Sequence, residues 1–322
     1  MKLANPIYDA VFKYLMEDTE IARRFLARII DEEIVEISLR PQEYSGTSPK
    51  HELTLFRLDF KATIKLKKEE KKKKDKNWQA NHKTVLIELQ KAKQVEDLGR
   101  FRRYLGDNYR KTDEITLPDG SKNQVELPIV TIYFLGFPMP PVETSALKIN
   151  RIYTDLITHQ VLNVKTKFVE LLTHDCFVIL ISKLPPKERS ELERILKVFN
   201  QSYAMYGDNK FLEISEEEIK GDELLEMVAK RLRKGAMDEE LLREIEIEEE
   251  VDEMIDQYIR EMEDLKERIK KRDEKIKQRD ENLKQKDVSL KQKDESLKQK
   301  DEKIQEHERL IEELKRQLKD RQ

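Results

Sequence analysis

Apolar residues recur along this chain in three rhythms, and each predicts a different kind of element. Near the start, Ile7, Val11 and Leu15, with Tyr8 and Phe12, fall at helical spacing just after Pro6, a residue suited to a first turn. DTEIARRFLARII follows, with Asp18 placed to cap a second helix. The period then drops to two. EIVEISL predicts a short strand and LTLFRLDFKATIKL a long one. In the long one Phe56, Leu58, Phe60, Ala62 and Ile64 share one face, and Arg57, Asp59, Lys61 and Thr63 share the other. TVLIELQKA, from Thr84, is a third strand. A helix over about 95–112 carries Leu98, Phe101, Leu105 and Tyr109. ELPIVTIYFLGF is nearly all apolar, as expected for a strand covered on both faces.

Residues 146–236 add a short apolar strand, CFVILISKL, closed by Pro185-Pro186, and helical patterns in KERSELERILKVFNQSYAM and EEEIKGDELLEMVAKRLRK. One such strand offers too little sheet for a separate core, so this region is expected to pack on residues 1–145. His174, Asp175 and Cys176 are adjacent, but neighbours on a strand point to opposite faces, which argues against a nucleophilic role.

The third rhythm fills residues 237–322, where Pro and Gly are absent. Val251, Ile255, Tyr258, Met262, Leu265 and Ile269 step by 4, 3, 4, 3, 4, the seam of a coiled coil. The register continues through Ile276, Leu283, Leu290, Leu297, Ile304, Ile311 and Leu318. Its companion column turns basic at Arg272, Arg279, Lys286, Lys293 and Lys300. LKQKDVS, LKQKDES and LKQKDEK are near-identical heptads. Pairs such as Asp280–Lys284 and Asp287–Lys291 each add about 0.2–0.5 kcal/mol to the helix. The tail is expected to be a stiff helix about 120 Å long at about 1.5 Å per residue, joining copies of the chain into a homo-oligomer.

Composition narrows the setting. Charged residues make up 40% of the 322 and hydrophobic ones 38%, yet net charge is only −3, so nucleic-acid binding would have to come from local patches. A single cysteine, Cys176, excludes an internal disulfide or a multi-cysteine zinc site and fits a reducing compartment. The start lacks an apolar run of signal-peptide length, and no stretch approaches the roughly 20 apolar residues that span a bilayer. The expectation is a cytoplasmic protein with no membrane partner.

One short stretch raises a chemical question. In TVLIELQKA, Leu86, Glu88 and Gln90 share a strand face. Such a face is either the solvent side of an edge strand or the lining of a site. If the Asp59 strand and the Glu88 strand form a hairpin, their polar faces coincide. Two carboxylates on strand positions are a minimal Mg²⁺ site, able to polarise a phosphate oxygen and acidify a bound water. Asp9 and Lys13, four apart on the first helix, can add a third acid and a cation.

These residues form a recognisable set: DAVFK at Asp9–Lys13, D-x-K at Asp59, E-x-Q at Glu88–Gln90, then GRFRRYLGDNY and LPIVTIYFLGF. Over roughly residues 5–140 the set resembles the PD-(D/E)XK nuclease superfamily, in its recombination-promoting nuclease or transposase-like branch. The resemblance implies an α/β fold with a restriction-endonuclease-like αβββαβ core that cuts DNA with Mg²⁺ or Mn²⁺. By motif, Asp59 and Glu88 would be the metal ligands and Asp9 the first-helix acid. Gln90 stands where the wider superfamily has lysine, and can only orient a water by hydrogen bonds. Leu58 replaces the proline common before the first acid.

Between the two acidic strands, the segment from Lys65 to Lys76 sets eight lysines, Lys71, Lys72, Lys73 and Lys74 among them, against three acids. It is either a phosphate-gripping loop, with Trp78 stacking on a base, or a solvated insertion. Arg100, Arg103 and Tyr104 on the following helix, and Lys13 on the first, are further DNA-contact candidates. The expected function is a metal-dependent DNA endonuclease linked to recombination, mobile elements or defence against foreign DNA. The alternative is a non-catalytic nucleic-acid-binding or coiled-coil interaction protein that keeps the nuclease fold.

Overall fold

The computed structural model describes residues 1–42, 59–67, 81–90, 97–117, 119–164 and 166–319. The chain opens with β1 (Lys2–Ala4), α1 (Asp9–Met16) and α2 (Thr19–Ile30), followed by β2 (Ile34–Gln42), β3 (Asp59–Leu66) and β4 (His82–Gln90). Next come α3 (Asp97–Arg110), the hairpin β5 (Asp113–Thr116) and β6 (Lys122–Val125), then β7 (Ile129–Leu135) and β8 (Ala146–Ile149). A small hairpin, β9 (Tyr153–Thr154) and β10 (Val161–Leu162), leads to α4 (Lys167–Leu172), β11 (Asp175–Leu180) and α5 (Glu191–Leu196). The remaining elements are β12 (Ala204–Met205), β13 (Asp208–Glu213), α6 (Glu216–Ile219), α7 (Glu223–Gly235) and α8 (Glu239–Lys319).

The main sheet is mixed and runs β2-β3-β4-β7-β11-β8. β2, β3 and β4 pair antiparallel, β7 lies parallel to both β4 and β11, and β8 closes the row antiparallel to β11. A parallel neighbour cannot be reached by a tight turn, and α3 supplies the crossover from β4 to β7, with the β5–β6 hairpin inserted after it. The run CFVILISKL supplies β11, beside β7.

The centre of one face of the sheet is apolar. Phe60, Ala62, Ile64, Val85, Ile87, Val130, Ile132 and Phe134 meet α1, α2, α5 and α7 there. Phe134 sits at its centre, stacked on Phe199 at 4.9 Å and on Phe25 at 6.2 Å, with Phe12 tilted against it at 5.6 Å. Each such ring, taken fully out of water, stabilises the fold by about 1.5–3 kcal/mol. The opposite face carries α3, whose Phe101 and Tyr104 pack on Leu86 and Ile129.

Local signals set the helix ends. Asp18 accepts from the backbone N–H groups of Glu20 and Ile21, both at 3.1 Å, and starts α2. Gly221, at φ +91°, separates α6 from α7, so EEEIKGDELLEMVAKRLRK is two helices rather than one. KERSELERILKVFNQSYAM is helical only over Glu191–Leu196, then tightens to 3₁₀ turns before β12. There the Asn200 side chain takes the N–H of Ser202 at 3.0 Å, a local bond that competes with helix continuation.

The chain forms two compact units, Met1–Glu250 and Val251–Gln322. In the first, the opening turns of α8 place Leu241 and Ile245 in the core. In the second, α8 keeps its seam residues outward: Tyr258, Leu265, Ile269, Ile276 and Leu283 are all exposed, as a coiled-coil helix seen as a single chain would be. Arg268–Asp264 and Lys271–Glu267 pair along its surface. Among the described residues, no helix is long and apolar enough to cross a membrane.

Candidate functional site

The site begins with strand alternation in β4. Val85 and Ile87 face the apolar core, so Thr84, Leu86, Glu88 and Gln90 face the other way, toward the α3 side. β4 lies between β3 and β7, and Glu88 is only 2% exposed, with Gln90 also buried. These two residues are therefore not the solvent side of an edge strand. A carboxylate taken into a sheet interior is costly unless paired charge or hydrogen bonds repay it, so Glu88 depends on the groups around it.

Register supplies the neighbours. Phe60 pairs with Ile87 and Lys61 with Leu86, and the same ladder carried one step further sets Asp59, the first residue of β3, opposite Glu88. On the other side Tyr133 pairs with Glu88 and Leu135 with Gln90. The Gln90 carbonyl accepts from the Gly136 N–H at 2.8 Å, which fixes the end of β4. The Asp59 side chain lies outside the described residues; its backbone position is what the register gives.

Two residues further along the same face, Lys61 is 3% exposed, with its ammonium 2.6 Å from Asp113 Oδ1. Thr84 Oγ1 donates to Asp113 Oδ2, also at 2.6 Å. This buried Lys61–Asp113–Thr84 cluster was missed by pattern reading. Lys61 was visible on the polar face of its strand, but its partner comes from β5, beyond α3, and only the rule that a buried lysine needs an acid could have prompted the search.

The other candidates are spread more widely. Asp9 opens α1, whose Val11, Phe12, Leu15 and Met16 pack on the apolar face of the sheet, opposite the face of Glu88. No side chain of its own caps α1. Glu248, from α8, accepts instead from the N–H groups of Asp9 and Ala10 at 3.2 and 3.4 Å, while Tyr8 donates to Glu249 at 2.5 Å. Burial, then that bond, push the Tyr8 hydroxyl far above its usual pKa. Lys13 is half-buried in the last turn of α1. Tyr104 is buried, its ring 6.2 Å from Phe101. Arg100 and Arg103 are on α3, with side chains outside the described residues, and Lys71, Lys72, Lys73, Lys74 and Trp78 lie outside them altogether.

The His174–Cys176 run is tied up structurally. His174 Nδ1 is bonded to the Tyr109 hydroxyl at 2.8 Å, and Asp175 accepts from Arg151 at 3.1 Å. Burial lowers the His174 pKa and raises that of the Cys176 thiol, which keeps both neutral near pH 7.

Among the described residues, no cluster of three or more His, Cys, Asp or Glu is arranged to hold a metal ion. The β3–β4 ladder ends at Phe60 and Ile87, and Asp59 and Glu88 are the next residues of the two strands; carboxylates and an amide at 59, 88 and 90 are oxygen donors of the kind a hard divalent cation takes. No protein-family model matches this chain, and neither a curated protein nor a solved structure matches it. The site stands on its own geometry.

Proposed function

We propose that this chain is a metal-dependent DNA endonuclease built on a restriction-endonuclease-like core. One observation carries the reading. The order is α-β-β-β-α-β apart from the inserted β5–β6 hairpin, and β7 is parallel to β4. The β3–β4 ladder ends at Phe60 and Ile87, one residue short of Asp59 and Glu88, with Gln90 two residues further along the buried face; this supports the reading. Asp59 and Glu88 would hold Mg²⁺ or Mn²⁺, and the ion, when bound, polarises the phosphate and lowers the pKa of a water. Gln90 orients that water through its amide. Lys61 is already neutralised by Asp113 and braces the face that carries the two acids rather than charging it. Lys71–Lys74, Trp78, Arg100 and Arg103 remain the proposed contacts to the DNA backbone and bases, whereas Tyr104 is buried against Phe101 and Lys13 belongs to α1 on the opposite face of the sheet, so neither is kept as a contact. α8 would join copies in the cytoplasm, so that two sites could act on two strands.

The second reading is a binding module that keeps this core without cutting. Gln90 favours it, because an amide cannot take the proton of an attacking water. Plasmid cleavage with and without Mg²⁺ or Mn²⁺ separates the two readings, using the wild type, Asp59→Ala and Glu88→Gln. Metal-dependent cutting that falls by about a hundredfold or more in both variants is expected, since a catalytic metal is worth several kcal/mol. DNA binding without cutting, unchanged in either variant, would leave the binding module.

A further inference from the structure

Along α8 one large apolar side chain recurs in every heptad: Ile269, Ile276, Leu283, Leu290, Leu297 and Ile304 are each more than half exposed. A strict seven-residue repeat keeps them on one stripe that a second supercoiled helix can cover. In heptad terms this column is position a. Position d, three residues on, is Leu265 and then basic at Arg272, Arg279, Lys286, Lys293 and Lys300. Position e, beside it, is acidic over the same stretch, at Asp273, Asp280, Asp287, Asp294 and Asp301.

This order of charges distinguishes the two ways in which helices can pair. In an antiparallel pair e faces e, so overlapped tails would set the aspartate column against itself. In a parallel pair g faces the e position five residues later on the other copy, and no like charges meet. Glu261 faces Lys266, Arg268 faces Asp273, Lys275 faces Asp280 and Lys303 faces Glu308, while Asn282, Ser289 and Ser296 face the remaining aspartates. Exposed pairs of this kind add little strength but decide orientation. Arg268 also bonds Asp264 of its own helix at 2.8 Å, and its side chain stays 71% exposed, open to a second acid. The d cations would face each other in a parallel pair. Their long stems can cover the neighbouring leucines and carry the charge outward, to the e aspartates of the other copy.

The flanks also decide register. The near-identical heptads LKQKDVS, LKQKDES and LKQKDEK cannot tell one alignment from another a heptad away. Their surroundings can. A slip of one heptad sets Glu261 against Asp273 and Lys303 against Lys315 on one flank, and Arg268 against Lys266 on the other.

We propose that α8 pairs in parallel and in register with α8 of a second copy of this chain. The proposal rests on the reading that α8 joins copies, and adds their order. Both first units then attach at the same end of the paired helix, whereas an antiparallel pair would hold the attachment points about 100 Å apart.

The test uses full-length chains in which Cys176→Ser removes the single cysteine and Leu265→Cys or Ile311→Cys places one in the seam. They are equilibrated in a glutathione redox buffer, alone and mixed. In the parallel, in-register pair each position lies within disulfide reach of itself. Each chain alone is therefore expected to form covalent dimers, and the mixture no link between 265 and 311. Ile269→Cys and His307→Cys, one layer inward, repeat the measurement should an end layer loosen. Links found only in the mixture would mean an antiparallel pair, overturning the proposal while α8 remains the joining element. A dimer on sedimentation that links in neither experiment overturns it too. A monomer on sedimentation would remove the joining role of α8 altogether.

Discussion

The two faces of the main sheet are built on opposite principles. One has an apolar centre, gathers α1, α2, α5 and α7, closes around Phe12, Phe25, Phe134 and Phe199, and keeps its few charges, such as Lys83 with Glu32, paired. The other meets α3 through a small cluster and buries Lys61, Thr63, Thr84, Glu88 and Gln90 among its side chains. The first face gains from every side chain it hides. The second takes charge out of water, which repays its cost only through close pairing or through function. The lesson is that stability and chemistry have been separated by strand alternation: odd and even positions of the same strands serve different ends.

Substitutions should expose that division. The largest loss of stability is expected on the apolar face, where Phe134→Ala should cost about 3–5 kcal/mol in a urea titration. Lys61→Met should come close to it, because it strands the Asp113 carboxylate in the interior, at a cost of about 3–5 kcal/mol. Adding Asp113→Leu to Lys61→Met should recover most of that loss. A double variant as unstable as the single one would mean that the pair is not what holds β5 to β3.

A smaller, pH-dependent effect is expected at Glu193, which joins the segment before β8 to α5. The Arg189 guanidinium, and after it the Ser145 hydroxyl, hold the Glu193 carboxyl down to about 2. Because the folded pKa lies below the ordinary value of 4.5, the stabilisation is complete above that value and drains away as pH falls toward 2. Glu193→Gln should flatten that acid limb of the stability–pH curve. Removing the long-range cap with Glu248→Ala should cost about 1 kcal/mol, within the range for lost helix caps. The smallest stability change belongs to Glu88→Gln, which keeps shape and burial and should melt within about 1 kcal/mol of wild type while losing metal-dependent cleavage. If that variant proved as fragile as Lys61→Met, Glu88 would be structural and the contrast between the faces would fail.

How much of this was legible in sequence follows from the range of the forces involved. Period alone sufficed for α1, α2, β4, β7 and α8, because each has a long, regular apolar pattern. Alternation also set Asp59, Lys61 and Glu88 on polar strand faces, and the antiparallel pairing of β3 with β4 agrees with the expected hairpin. It did not show that the Glu88 face is buried, since burial there comes from α3 and β7 rather than from β4 itself. Asp113 was invisible because its role depends on a hairpin inserted after α3. α5 is shorter than its apolar spacing suggests because the chain tightens into 3₁₀ turns after Leu196, which that spacing does not signal. The β9–β10 hairpin and α4 left no strong periodic trace, as strands of two residues and a helix of six are too short to make one.

The closure of the chain on itself has a consequence in time. The Met1 ammonium donates to the Ile214 carbonyl at 2.6 Å, β1 pairs with β13, and the first turn of α1 waits for Glu248. The earliest residues made are thus completed by some of the last in the unit. At about 5–20 residues per second, the intervening stretch of more than two hundred residues takes roughly 10–50 s to synthesise. For that interval β1 has no strand partner and α1 no cap, and final folding of the unit waits for Glu248 to be made.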